Sequence, residues 1–144
     1  MPTDPLMSAS SLSRGPILAL GVFLLFGALA ASYAATTLLF PGTGLDRAWA
    51  LNPRAHQQLL TMGRGMSVPF ILLASALALA ATGWFRYRLW AWRLTVAIVA
   101  TQLLGDALNF YRGDFLAGAF GVLAASALLF YLFRPTIRSA FPAR

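Results

Sequence analysis

The sequence predicts an all-α polytopic membrane protein: a four-transmembrane-helix bundle with both termini cytoplasmic. Three observations lead to this fold class. The 144 residues are 59% hydrophobic and only 10% charged, whereas a water-soluble chain carries roughly 25% charged residues. Four long apolar runs alternate with short charged clusters, and each run approaches the ~20 residues that a helix needs to cross a bilayer. The arginines are also distributed unevenly: more of them lie in the segments on the side of the termini than in the connections on the opposite side.

The apolar runs define the domain organisation. We expect a cytoplasmic N-terminal tail over residues 1–14, a transmembrane domain over 15–134 and a cytoplasmic C-terminal tail over 135–144. The expected spans within that domain are about 16–40, 65–85, 92–110 and 115–133. The first span also resembles a secretory signal peptide with a small-residue cleavage site, but we expect it to be retained as a helix.

The second helix is predicted to start before its apolar run. Asn52-Pro53 offers an N-cap followed by proline at the first helical position, where the missing N–H costs nothing. We expect this helix to continue from Pro53 into the second span, with a kink near Pro69. The preceding residues 45–51 place Leu45 and Trp49 on one helical face, which is typical of a short segment lying in the membrane interface.

The third span must contain a charge, because only 12 residues separate Arg93 from Asp106 and 12 helical residues cover only ~18 Å. Arg93 can extend its long side chain to water. Three tryptophans beside it, Trp84, Trp90 and Trp92, are interpreted as an aromatic belt at the membrane interface. Asp106 is short, so we expect its carboxylate to lie ~6 Å inside the hydrocarbon.

An intramembrane polar cluster is predicted around Asp106. Gln102, Asp106 and Asn109 recur at i, i+4 and i+7, so they share one helix face, and we expect this polar stripe to point into the bundle because lipid satisfies no hydrogen bond. Arg64, between Gly63 and Gly65 at the outer end of the second span, is the expected partner of the Asp106 carboxylate. The two glycines would allow close backbone approach.

Two interpretations of the cluster remain open. As a functional site, it would be a proton relay, an ion path or a headgroup site. As a structural site, it would be a buried ion pair with hydrogen bonds that fixes the helix register. We favour the structural interpretation, because one acid without a second titrating group in the membrane is a poor proton chain.

The candidates for catalysis and cofactor binding are few. His56 is the sole histidine, and the chain has no cysteine and no glutamate, so we predict no protein-only metal site and no resident cofactor. His56 remains a possible ligand contact, for example to a pigment or haem shared between two subunits, although a polar residue on an outer helical turn is the simpler interpretation. No nucleophile arrangement and no phosphate-binding glycine loop can be assembled. We therefore predict a protein that is not an enzyme.

The fourth span carries small residues at helical spacing, Ala117, Gly118 and Gly121. Such residues allow helices to approach closely in lipid. Gly27 and Ala31 in the first span, and Ala74 and Ala78 in the second, repeat the pattern. Abundant alanine would produce such pairs by chance as well, so the pattern only supports a compact bundle.

The arginine distribution predicts the orientation. Seven arginines lie on the side of the termini and four on the opposite side, and the positive-inside rule places the richer side in the cytoplasm. Because the arginines are dispersed among short connections and form no basic stripe, we predict no nucleic-acid partner.

Several motifs suggest a resemblance. They are Leu39-Phe40-Pro41-Gly42 with Leu45-Asp46 and Trp49; Gly83-Trp84 with Trp90-Ala91-Trp92; Gly105-Asp106 with Asn109; and Tyr131-Leu132 with Arg134-Pro135, Arg138 and Phe141. Together they resemble a group of small bacterial four-helix inner-membrane proteins of unknown function. The resemblance implies a location in the bacterial inner membrane and a four-helix fold, and it supplies no activity.

Two functions are carried forward. The first is a non-enzymatic accessory or assembly subunit of a larger bacterial membrane complex, respiratory or photosynthetic, because four spans of about 20 residues consume nearly the whole chain. Its partners would be the lipid bilayer and other membrane subunits, or further copies in a homo-oligomer. The alternative is a small transporter, channel or binder of a lipid-soluble molecule such as a lipid, quinone or pigment, with the predicted polar cluster at one end of an apolar pocket.

Overall fold

The computed structural model describes residues 14–51 and 53–141. The predicted N-cap Asn52 and most of the predicted N-terminal tail lie outside these residues. The described chain contains helices and connections without a strand, which confirms the all-α class. Its α-helices are α1 (Arg14–Leu39), α2 (Pro53–Met62), α3 (Ser67–Phe85), α4 (Leu89–Tyr111), α5 (Phe115–Leu132) and the short α6 (Pro135–Arg138), with 3-10 helices at Gly44–Leu51 and Arg64–Met66.

Within residues 14–51 and 53–141, four helical segments are long and apolar enough to cross a membrane. They are Gly15–Leu39, Arg64–Phe85, Leu89–Tyr111 and Phe115–Leu132. Each overlaps one of the four expected spans, because a long uncharged run satisfies its backbone hydrogen bonds internally when it forms a helix. The third segment begins earlier than expected, because the helix includes Leu89, Trp90 and Ala91.

The predicted continuous helix from Pro53 into the second span is wrong. A helix does begin at Pro53, but α2 ends at Met62, and a 3-10 turn separates it from α3. Gly63 has φ +76°, a left-handed conformation that interrupts an α-helix and favours glycine. Pro69 lies in the first turn of α3, where proline is tolerated without a kink.

The chain forms two compact units. In the unit Phe23–Ala78, the second half of α1 packs against the first part of α3 through small side chains. A Cβ on Gly27 would lie 3.4 Å from Leu77 Cδ1, and Ala31 and Ala74 are buried. Gly27, Ala31 and Ala74, three of the small residues singled out from the sequence in these two helices, therefore lie at a helix contact.

The other unit comprises residues 14–22 and 79–141. Its centre is an antiparallel pair of helices, α4 and α5, joined by a tight turn at Gly113, which has φ +103°. Trp84, at the end of α3, is completely buried and its indole N–H donates to the Ile17 carbonyl at 2.7 Å. Trp92 is also buried and donates to the Leu132 carbonyl at 3.0 Å.

The aromatic-belt interpretation therefore fails for two of the three tryptophans. Buried indoles need an acceptor for their N–H, and main-chain carbonyls supply it for Trp84 and Trp92. Trp90 alone of the three is substantially exposed.

Candidate functional site

The polar stripe of α4 contains one direct contact between its predicted members. Gln102 Nε2 donates to both carboxylate oxygens of Asp106, at 3.2 Å each. The two residues are one helical turn apart, so the α-helix itself aligns the amide with the carboxylate. Asp106 is half-buried, whereas Gln102 is exposed.

Asp106 also lies directly against α5, at a glycine. A Cβ on Gly121 would lie 2.7 Å from Asp106 Oδ1 and closer still to Cγ, so no larger residue fits there without moving the carboxylate. One turn earlier on α5, a Cβ on Gly118 would lie 2.5 Å from the Phe110 backbone nitrogen. The small-residue pattern of the fourth span thus marks the contact surface between α4 and α5, and Gly121 provides the room that the Asp106 side chain occupies.

Asn109 is the third member of the stripe, and its side chain is exposed. Only 11% of the most apolar 18-residue stretch of α4 is buried. The expectation that the stripe points into the bundle therefore holds for Asp106, which packs on α5, while Gln102 and Asn109 reach the surface of the chain.

Arg64 begins the second 3-10 helix and is exposed. It belongs to the unit Phe23–Ala78, whereas Asp106 belongs to the other unit, and their pairing stays a prediction. Gly63 is needed for its φ of +76°, and a Cβ on either flanking glycine would meet no described atom within 4 Å; their expected role in a close approach to α4 stays a prediction.

His56 takes part in a second polar cluster, which the sequence did not predict. Its Nε2 lies 3.5 Å from Asp46 Oδ1, and its ring stacks on Trp49 with 5.7 Å between centroids and 5° between planes. The Tyr33 ring also packs against Trp49, with 6.0 Å between ring centroids. We call these four residues the His56 cluster.

The connection after α1 builds the His56 cluster. The Tyr33 hydroxyl donates to the Leu45 carbonyl, and the Gly42 backbone N–H donates to Asp46 Oδ2 at 2.7 Å. These bonds attach the first 3-10 helix to the end of α1 and direct Asp46 toward α2. Asp46 Oδ1 and His56 Nε2 are both buried, and neither forms a hydrogen bond in the described structure. The 3.5 Å between these two atoms is longer than a hydrogen bond, so their interaction is electrostatic.

The chemistry available to the two sites differs. A carboxylate and an imidazole 3.5 Å apart attract each other when the imidazole is protonated. In contrast, the Asp106 carboxylate receives both its bonds from one amide, so it retains acceptor capacity for a further donor. Within the described ranges, no three His or Asp side chains come together as a set of metal ligands.

No protein-family model, no curated protein and no solved structure matches this chain. The geometry of α4, of α5 and of the His56 cluster therefore carries the functional argument.

Proposed function

We propose that the chain is a non-enzymatic integral membrane protein that serves as an accessory or assembly subunit of a larger bacterial membrane complex. One observation carries the proposal: Gln102 and Asn109 are exposed on α4, a helix long and apolar enough to cross a membrane. Hydrocarbon offers no partner for the amide groups of these side chains. A helix of another subunit, or of a second copy, would supply the missing hydrogen bonds.

The exposed surface of α4 and α5 also carries large apolar side chains, including Leu104, Leu108, Phe120 and Leu123. Leu104 and Leu108 lie on a different face of α4 from Gln102 and Asn109, because successive helical residues are about 100° apart. Such a surface packs equally well on lipid tails and on an apolar helix, so only the polar pair favours a protein partner.

The proposed location is the bacterial inner membrane, with both termini in the cytoplasm. Seven arginines on the side of the termini against four on the opposite side support this orientation. Single cysteines introduced at Ser10 and Thr43 test it, since the chain has no native cysteine. With the outer membrane permeabilised, an impermeant thiol reagent should label Thr43→Cys and spare Ser10→Cys; the reverse pattern would overturn the orientation.

Partner binding is tested at the native expression level. We expect the tagged protein, extracted in mild detergent, to run in a larger complex on a native gel. The variant Asn109→Leu should leave that complex and still fold, because this side chain is exposed in the single chain; Gln102 is kept, since it donates to Asp106. The matched control, Leu108→Ala, changes another exposed residue of the same helix and should retain the complex. A monodisperse single chain from the unmodified protein would contradict the proposal.

The open acceptor capacity of Asp106 supports a second candidate function, the binding or transport of a lipid-soluble molecule. The hydroxyl of a reduced quinone, or a hydroxyl or amine of a lipid headgroup, would donate to the carboxylate that Gln102 already holds in place. Absorption spectroscopy and organic extraction of the purified protein distinguish this function. A stoichiometric pigment, quinone or lipid that is lost in Asp106→Asn would favour it, and an empty protein that conducts nothing in liposomes would favour the subunit.

A further inference from the structure

The turn between α3 and α4 forms an open pocket of about 580 Å³. Its volume falls in the ~300–1,000 Å³ range of small-ligand sites. The pocket is lined by three arginines together with two aromatic residues: Arg86, Arg88, Arg93, Tyr87 and Trp90. It lies in the unit that contains α4 and α5, at the end opposite to Asp106.

No carboxylate among the described residues neutralises the positive charge of this pocket. None of its arginines forms an ion pair with a described residue. Of the described carboxylates in this unit, Asp106 lies near the far end of α4 and Asp114 lies beyond it. Guanidinium groups bind phosphate with two parallel hydrogen bonds, so an uncompensated group of three favours a phosphate-bearing ligand.

The backbone of the turn is held in an unusual conformation. The Tyr87 N–H donates to the Trp84 carbonyl and the Arg88 N–H to the Gly83 carbonyl, which is the Schellman pattern that ends a helix. The residue in the left-handed position of this motif is normally glycine, as Gly113 is after α4, yet here it is Tyr87 with φ 52°. A left-handed tyrosine costs about 1–2 kcal/mol, and such strained positions occur at binding sites.

The aromatic residues of the pocket are fixed in place. The Tyr87 ring packs on Phe141, with 6.0 Å between centroids. Trp90 packs against Gly83, where a Cβ would lie 2.6 Å from its ring atoms. The pocket is therefore shaped before any ligand binds, which lowers the conformational cost of binding.

The position of the pocket indicates the source of the phosphate. The pocket lies between the end of one candidate span and the start of the next. In a bilayer, the ends of membrane-spanning helices lie at the depth of the lipid headgroups. Tryptophan is favoured at that depth, and basic pockets at the ends of membrane helices bind anionic headgroups. We propose that this pocket binds the phosphate of an anionic phospholipid headgroup, with Arg86, Arg88 and Arg93 as its cationic contacts. This site is distinct from the Asp106 cluster and independent of the proposed subunit function.

The binding experiment uses the full chain in detergent micelles and measures the affinity for short-chain phosphatidylglycerol. Short-chain phosphatidylcholine and inorganic phosphate are the comparison ligands. We expect phosphatidylglycerol to bind and the zwitterionic lipid to bind far more weakly. Inorganic phosphate binding as tightly as phosphatidylglycerol would overturn the lipid assignment in favour of free phosphate. Equal binding of both lipids would overturn the whole proposal.

Two triple variants locate the site. The pocket variant, Arg86→Gln, Arg88→Gln and Arg93→Gln, should bind phosphatidylglycerol on the order of 100-fold more weakly, since each arginine near a membrane surface contributes several-fold. The matched control removes the same charge from the other connections: Arg47→Gln, Arg54→Gln and Arg112→Gln. The control should retain the affinity of the unmodified protein, and an equal loss in both variants would reduce the effect to net charge and refute the site.

A third measurement needs no variant, so it remains decisive if the pocket variant fails to fold. A phosphatidylglycerol carrying a photoactivatable group on its glycerol headgroup is cross-linked to the unmodified protein in phosphatidylcholine vesicles. We expect the adduct within residues 86–93, or at the pocket residue Ala140. Adducts in the connection that contains His56, with none at these positions, would contradict the proposal.

Discussion

Replacement of Gly118 by alanine tests how α4 and α5 are held together. A Cβ at this position would lie 2.5 Å from the Phe110 backbone nitrogen and 2.6 Å from its Cα. Ordinary contacts between non-bonded heavy atoms occur at about 3.5–4.0 Å, so the added methyl must separate the two helices locally by about 1 Å. The obstructing atoms belong to the backbone, and no side-chain rotation can remove them.

The size of the effect follows from two opposing terms. Overpacking costs about 1–3 kcal/mol, and we expect the upper part of that range because backbone atoms obstruct the methyl. Alanine in a helix interior is more favourable than glycine by about 1 kcal/mol. The net expectation for Gly118→Ala is a loss of about 1–2 kcal/mol in the free energy of unfolding.

Gly105→Ala is the matched control, because Gly105 lies in the interior of α4 and a Cβ there meets nothing within 4 Å. It should be neutral or stabilise by up to about 1 kcal/mol. Unfolding by sodium dodecyl sulfate in mixed micelles, followed by circular dichroism, compares the two variants. If Gly118→Ala proves as stable as Gly105→Ala, the close packing of α4 on α5 is refuted.

Two further predictions concern polar side-chain interactions. Trp84→Phe should lower stability by about 1–3 kcal/mol, because it removes the buried indole bond to the Ile17 carbonyl and leaves a void; Trp90→Phe, at an exposed ring, should cost less, and equal thermal shifts would contradict this reasoning. Asp106→Asn and Arg64→Gln should each destabilise by less than the ~3–5 kcal/mol of a fully buried pair, since Asp106 is only half-buried. Their combination should recover much of the loss, whereas strictly additive losses would show that the two residues are not partners.

The sequence predicts those features that depend on short-range patterns. The apolar runs predict four long helices, Pro53 predicts the start of α2, and the spacing of Gly118 and Gly121 predicts a helix contact surface. The i, i+4 spacing also places Gln102 beside Asp106. Each of these depends on the geometry of a single helix or on the volume of a single side chain.

Other features depend on information that a local pattern does not contain. The sequence around Gly63 is equally compatible with a glycine that lets two helices approach closely. Only its φ of +76° shows that this glycine interrupts the helix. The His56 cluster requires a 3-10 helix that folds Asp46 and Trp49 toward α2. A tyrosine such as Tyr87 gives no signal of a left-handed turn, because that conformation is characteristic of glycine.

Contacts near both ends hold α4 against α5, and these contacts limit how the pair can respond to membranes of different thickness. At one end, the Trp92 indole caps the carbonyl of Leu132, the last residue of α5; at the other, Gly118 admits the backbone of Phe110. Neither helix can slide along the other without breaking one of these contacts. With 18 residues, α5 spans about 27 Å, slightly less than a typical hydrocarbon core of ~30 Å. The pair therefore cannot adapt by independent tilting, and in a bilayer of that thickness we expect the surrounding lipid to thin toward the length of α5.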